Sequence, residues 1–154
     1  MNMVDPANSR SGEQAAVMEQ IVADGICPFC LDSDGHLPKG YHQKPILKEG
    51  RFWLLTENQW GYKNARIKLL AILKVHVERL ADLDPEAAKE LIELGQWAEK
   101  EFQLRGGALC MRFGETKYSS ATVLHLHAHI ISPDVDAPDY QPVRFKIGAS
   151  PKTE

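Results

Sequence analysis

Three histidines occupy alternate positions in the run Thr122-Val-Leu-His-Leu-His-Ala-His-Ile-Ile131, and two cysteines stand three residues apart in Cys27-Pro-Phe-Cys30. In an extended chain alternate side chains share a face, so His125, His127 and His129 lie on one side, with Leu124, Leu126, Ala128 and Ile130 on the other. Histidines so spaced are roughly 6.6 Å apart along a strand. Two can then share a small ligand, but three do not easily converge on one metal ion. Imidazole is largely unprotonated near neutral pH, so it can attack an electrophile or ligate a metal, and in protonated form it can neutralise an anion. Three readings are open on these residues alone: a solvated sheet face, a hydrolase holding a catalytic metal on His125 and His127, or histidine nucleophilic catalysis at phosphorus. Cys27 and Cys30 have a spacing at which one turn chelates one ion. The competing reading, a redox pair, lacks the surrounding βαβ pattern.

The composition sets bounds around these clusters. The chain has 154 residues, 44% hydrophobic and 25% charged, which are the proportions of one globular domain rather than of a disordered or collagen-like chain. Eighteen Lys and Arg against 21 Asp and Glu give a net charge of −3, so bulk attraction to nucleic acid is not expected and an anionic ligand would need a local constellation. Three cysteines, two of them paired in sequence, favour a metal site in a reducing compartment over disulfides. The first twenty residues contain Asp5, Pro6, Glu13 and Glu19 and no long apolar core, and no run has the roughly 18 apolar residues of a membrane span. A cytoplasmic protein without membrane association is the expectation. Cys110, alone in an apolar run, reads as packing.

Elements must position these side chains. The pattern predicts a short helix over 13–23 stopped by Asp24-Gly25, then a hairpin of strands over 46–49 and 52–57, and a buried strand over 66–75. Asp84-Pro85-Glu86 opens the clearest helix, predicted to run to Leu104, with Ala87, Leu91, Leu94, Ala98 and Phe102 on one stripe. Strands over 108–113 and 122–131 follow, joined by a polar loop, and four prolines make the tail from Pro133 irregular. Strands, helix and strands in that order predict an α+β fold with an antiparallel sheet of about five strands, one long helix and a shorter N-terminal one. The expected division is a polar tail over 1–12, a domain over 13–132 and an irregular tail over 133–154.

His125-Leu-His-Ala-His-Ile-Ile131 resembles the histidine triad (HIT) superfamily, whose signature is His-φ-His-φ-His-φ-φ with φ apolar. Further segments share the likeness. Cys27-Pro-Phe-Cys30 is similar to the zinc pair of many members, and Leu73-Lys-Val-His76 with Leu80-Ala-Asp-Leu83 resembles their strand-to-helix joint. Asn58-Gln-Trp-Gly-Tyr62 resembles the Asn-x-x-Pro-Tyr segment of the dinucleoside-polyphosphate phosphorylase and uridylyltransferase branches.

The resemblance implies a nucleotidyl hydrolase or transferase acting at the α-phosphate of a dinucleoside polyphosphate or a nucleotide phosphoramidate. His127 would attack, forming a nucleotidyl-histidine, and His129 would engage a phosphate or bridging oxygen. Thr122 matches a position that contacts the α-phosphate or leaving group in family members. Ser119, Ser120, Asn58 and Arg112 are further candidate substrate contacts. Resemblance to zinc-bearing members implies a structural Zn2+ on Cys27, Cys30, His76 and His125, with His36 and His42 as competing ligands. A homodimer through the long helix and a strand edge is also implied. Four positions depart from the pattern. Ala121 stands where many members have Gln, Ser132-Pro133 replaces Pro-Arg after the triad, Gly61 replaces Pro, and no Pro precedes Lys74. Ala121 supports an alternative in which the chain is a nucleotide-binding or partner-binding module with weak catalysis.

Overall fold

The computed structural model describes residues 3–152. Its framework is a five-stranded antiparallel sheet with a long helix packed on one face. Helix α1 (Gly12–Asp24) begins where Ser11 Oγ accepts from Gln14 N–H and ends at Gly25, whose φ of 68° is a left-handed cap open to glycine at little cost. Strands β1 (Ile46–Glu49), β2 (Trp53–Glu57) and β3 (Ala65–Leu73) form a meander. Helix α2 (Pro85–Glu101) then crosses the sheet and leads to β4 (Ala108–Met111), the short helix α3 (Thr116–Ser119) and β5 (His127–Pro133). The strand order β1-β2-β3-β5-β4 places β5 between β3 and β4.

Period-two alternation divides the two faces. Leu69, Ala71 and Leu73 of β3 and Ala128 and Ile130 of β5 meet Ala87, Leu91, Leu94 and Ala98 of α2 in one core, together with Trp53 and Leu55. Their neighbours point the other way: in the register of the sheet Ile72 faces His127, and Leu70 and Cys110 flank His129. The α2 side is therefore greasy and the opposite side carries the histidines. Helix and sheet are also tied by polar bonds. Trp53 Nε1–H donates to Ala87 O at 2.7 Å, and the Glu90 carboxylate accepts from the backbone N–H groups of Arg51, Phe52 and Trp53 at 2.7–3.0 Å, holding the β1–β2 turn.

Several predicted boundaries move, each for a local reason. The long helix stops at Glu101 rather than Leu104, because Phe102 leaves helical geometry and Gln103 has a φ of 50°. The polar loop before the triad contains α3, closed by Ser120 in a left-handed conformation. The last strand starts at His127, not Thr122. Residues 122–126 bond elsewhere: Val4 forms an isolated bridge with Val123, Asp5 N–H donates to Thr122 O, Leu124 N–H to Met3 O, and Leu126 N–H to Val77 O, each of the last three at 2.7 Å. His125 thus lies before the sheet begins, not on the strand with the other two histidines.

Both terminal segments pack onto the body. Val4 is buried against Met18, Ile21 and Val123, and buried Asn8 donates to Ala121 O at 2.9 Å. At the other end no helix or strand follows Pro133 among the described residues, yet Phe145 lies against His129 and Tyr62, and Lys146 O accepts two bonds from Arg112. Among the described residues no helix is long and apolar enough to cross a membrane.

Candidate active site and metal-ligand cluster

His127 and His129 line a cavity on the sheet face opposite α2. His127 sits at the start of β5, where the chain turns out of the 122–126 segment and presents the carbonyl of His125 to the imidazole. His127 Nδ1–H donates to that oxygen at 2.6 Å, which leaves the lone pair on Nε2. Burial pushes the His127 pKa down to about 4, and the positive charges of Arg112 and Arg10 act in the same direction, so the ring is neutral at pH 7. Phe29 packs edge-on against it at 5.0 Å between ring centroids.

His129 is oriented differently. Asn58 Oδ1 accepts from Trp60 N–H at 3.1 Å, so the amide nitrogen of Asn58 is the group that faces His129 Nδ1, at 3.5 Å. With Nδ1 as acceptor the ring proton is on Nε2, a buried donor with no partner among the described residues. Burial and the adjacent His127, Arg112 and Arg10 hold the His129 pKa well below its ordinary value. Tyr62 and Phe145 close edge-on around this ring at 5.5 Å each.

The candidate substrate contacts divide. Thr122, Asn58 and Arg112 line the cavity with the two histidines. Ser119 and Ser120 are buried and do not line it; Ser119 Oγ accepts from Ala121 N–H at 3.1 Å, and Ser120 caps α3. Arg10, Phe29 and His42 also line the cavity, a placement that sequence reading did not assign to them. No local signal marks Arg10, which sits in a polar segment, nor Phe145 in the C-terminal tail.

A second cluster lies behind the first. Cys27, Cys30, His76 and His125 each direct one ligand atom into a group with all separations within 4.8 Å, and these four could hold one metal ion. The Nδ1 atoms of His76 and His125 are 3.1 Å apart, Cys27 Sγ is 3.4 Å from His125 Nδ1, and Cys30 Sγ is 3.4 Å and 3.7 Å from the two imidazoles. A tetrahedral zinc site with Zn–N about 2.05 Å and Zn–S about 2.3 Å has edges of roughly 3.3–3.8 Å, and these four separations of 3.1–3.7 Å lie close to that range. The imidazoles are also prepared to ligate through Nδ1: His125 Nε2–H donates to Leu73 O at 2.6 Å, and His76 Nε2 pairs with the Glu78 carboxylate at 3.0 Å. Burial pushes the Cys27 thiol up to about 12, a cost to its thiolate that a divalent cation would offset. His36 and His42 are not in this group; His42 instead donates from Nε2 to Thr56 Oγ1 at 2.8 Å, whose own proton goes to Pro45 O. Nor do His125 and His127 share a ligand position, because His125 turns its free nitrogen to the cysteines while His127 turns Nδ1 to a carbonyl.

A search among curated proteins finds no match. Among solved structures, a hypothetical protein from Leishmania major aligns at 22% identity and a TM-score of 0.53, over 75% of this chain and 79% of its own. A histidine triad protein from Clostridium difficile aligns at 19% identity and a TM-score of 0.51, over 66% of this chain and 89% of its own. A HIT family hydrolase from Legionella pneumophila gives 22%, a TM-score of 0.50 and coverages of 70% and 92%. At these identities the likeness concerns the fold. The match of residues 64–136 to the HIT domain family spans β3 through β5, the segment that contains His76 and all three triad histidines. The segment over residues 64–136 is therefore similar to the HIT domain family, and the fold around it is similar to that of the histidine triad protein and the HIT family hydrolase.

Proposed function

We propose that the protein is a nucleotidyl hydrolase or transferase that cleaves nucleoside phosphate derivatives at the α-phosphorus through a covalent nucleotidyl-histidine on His127. The observation that carries this reading is the 2.6 Å bond from His127 Nδ1–H to the His125 carbonyl, which fixes the tautomer of a neutral, buried imidazole in a cavity. In the first step Nε2 bonds to phosphorus as the bond to the leaving group breaks and the leaving group takes the electron pair. Water or another acceptor then attacks phosphorus and releases His127 with its lone pair restored. The His129 Nε2 proton lacks an acceptor among the described residues and suits an oxygen that gains charge during either step. Asn58 acts through His129 by holding its tautomer, whereas Thr122 and Arg112 are assigned to substrate oxygens.

Zinc is the metal we assign to Cys27, Cys30, His76 and His125, in a structural role. Four protein ligands fill a tetrahedral shell, so bound zinc would cross-link the cysteine loop, the end of β3 and the entry to β5 without presenting an open position. A homodimer is also proposed. Its support is the exposed apolar pair Ile92 on α2 and Leu109 on the edge strand β4, which lie along one groove.

The test is a panel of adenosine, guanosine and uridine phosphoramidates and dinucleoside polyphosphates, assayed with and without phosphate. His127→Ala is expected to lower turnover of any accepted substrate by about 10³-fold or more, with melting temperature and zinc content retained. Full activity in that variant contradicts the mechanism. Chelation is expected to lower the melting temperature and to lose activity in step with the fold, whereas immediate loss from an intact fold points to a catalytic metal.

A further inference from the structure

Two arginines converge beside His129 without a carboxylate between them. Arg112, just past the end of β4, is buried; it donates from Nε and Nη2 to Lys146 O at 3.1 Å and 2.6 Å, and from Nη1 to Tyr62 Oη at 2.6 Å. Arg10, from the segment before α1, stacks its guanidinium 4.1 Å from the centre of the same tyrosine ring, donates to the same hydroxyl at 3.3 Å, and donates to Trp60 O. Among the described residues neither arginine forms an ion pair. Like charges placed together repel, and a guanidinium fork matches a phosphate in geometry as well as charge.

A groove continues from this point. It shares Arg10, Gln59 and Trp60 with the histidine cavity, and adds Lys63, Lys68 and Arg144 against one acidic side chain, Glu13. A chain of net charge −3 therefore concentrates positive charge along one path that starts at the histidines. We infer that Arg10 and Arg112 form a subsite for the phosphate chain of the leaving group, and that the substrates are nucleoside polyphosphates whose chain runs from His129 past Arg10 towards Lys63, Lys68 and Arg144. This inference rests on the proposed nucleotidyl chemistry for its direction, because it places the α-phosphorus at His127.

Binding separates the inference from catalysis. Calorimetric titration of the full chain with AMP, ADP, inorganic pyrophosphate and inorganic tripolyphosphate is expected to show ADP bound at least tenfold more tightly than AMP. Arg10→Gln should reduce that preference to threefold or less, while Arg10→Lys, which keeps the charge, should retain most of it. Arg144→Gln, at an exposed position, should weaken tripolyphosphate more than pyrophosphate and provides a second test if Arg10→Gln fails to fold. Equal affinity for AMP and ADP in the unaltered protein, or an Arg10→Gln loss shared equally by both, overturns the subsite. An Arg10-dependent ADP preference in a protein that hydrolyses no nucleotide upholds the subsite and removes the proposed activity. Turnover through His127 with an ADP preference indifferent to Arg10 upholds the activity and removes the subsite.

Discussion

At the residue scale the two inward histidines are given different states by different partners. His127 is fixed by a backbone carbonyl and His129 by a side-chain amide, so one presents a lone pair and the other a proton. That division has a thermodynamic consequence. The folded-state pKa of His129 lies well below its unfolded value, mainly through burial, and burial also lowers that of His42. The unfolded chain then binds more protons than the folded one as pH falls below about 6.5, so stability is full above that pH and declines below it. The melting temperature is expected to drop between pH 7 and pH 5, and His129→Gln should flatten the drop relative to the unaltered protein. An identical decline in both proteins contradicts this assignment. The types and spacing of His127 and His129 were legible in the sequence. Their tautomers were not, because one depends on a carbonyl orientation set where β5 begins, and the other on Asn58, 71 positions away.

At the element scale, alternation in β3 and β5 and the stripe on α2 were readable because each pattern reports directly which side chains meet the core. The beginning of the histidine strand was not. Thr122–Leu126 has a strand-like pattern, but the first described residues, Met3–Asp5, and Val77 take up its backbone hydrogen bonds, and such distant partners leave no local trace. That exchange moves His125 out of the sheet and towards the cysteines. The cysteine loop in turn reaches the other site, since Phe29 sits between Cys27 and Cys30 and packs on His127. Glu90 carries a comparable tie on the opposite face. Its carboxylate serves three backbone N–H groups at the β1–β2 turn, and charged hydrogen bonds are worth roughly 1.5–3 kcal/mol. Glu90→Ala is expected to destabilise the protein by about 2 kcal/mol in denaturant titration; a change below about 0.5 kcal/mol contradicts the role given to this side chain.

At the scale of the whole molecule the terminal segments contribute to the site rather than trailing from it. Arg10 and the α1 residues Gln14, Met18 and Ile21 wall the histidine cavity, while Phe145 and Lys146 brace His129 and Arg112 from the other end of the chain. Neither contribution is marked by motif or periodicity, since a polar segment and a proline-broken tail carry no repeating face to read. If the α2–β4 groove joins two copies, Leu109→Asp should shift the species seen by analytical ultracentrifugation from dimer to monomer, and an unaltered protein that sediments as a monomer contradicts the assignment.

Covalent nucleotidylation of His127 is tested by quenching the reacting protein in alkali, where a phosphorus–nitrogen bond persists, and mapping its peptides by mass spectrometry. A nucleoside monophosphate adduct is expected on His127, and none at that site in His127→Ala. Turnover with no adduct on any histidine, or with the adduct on His125 or His129 instead, would contradict it.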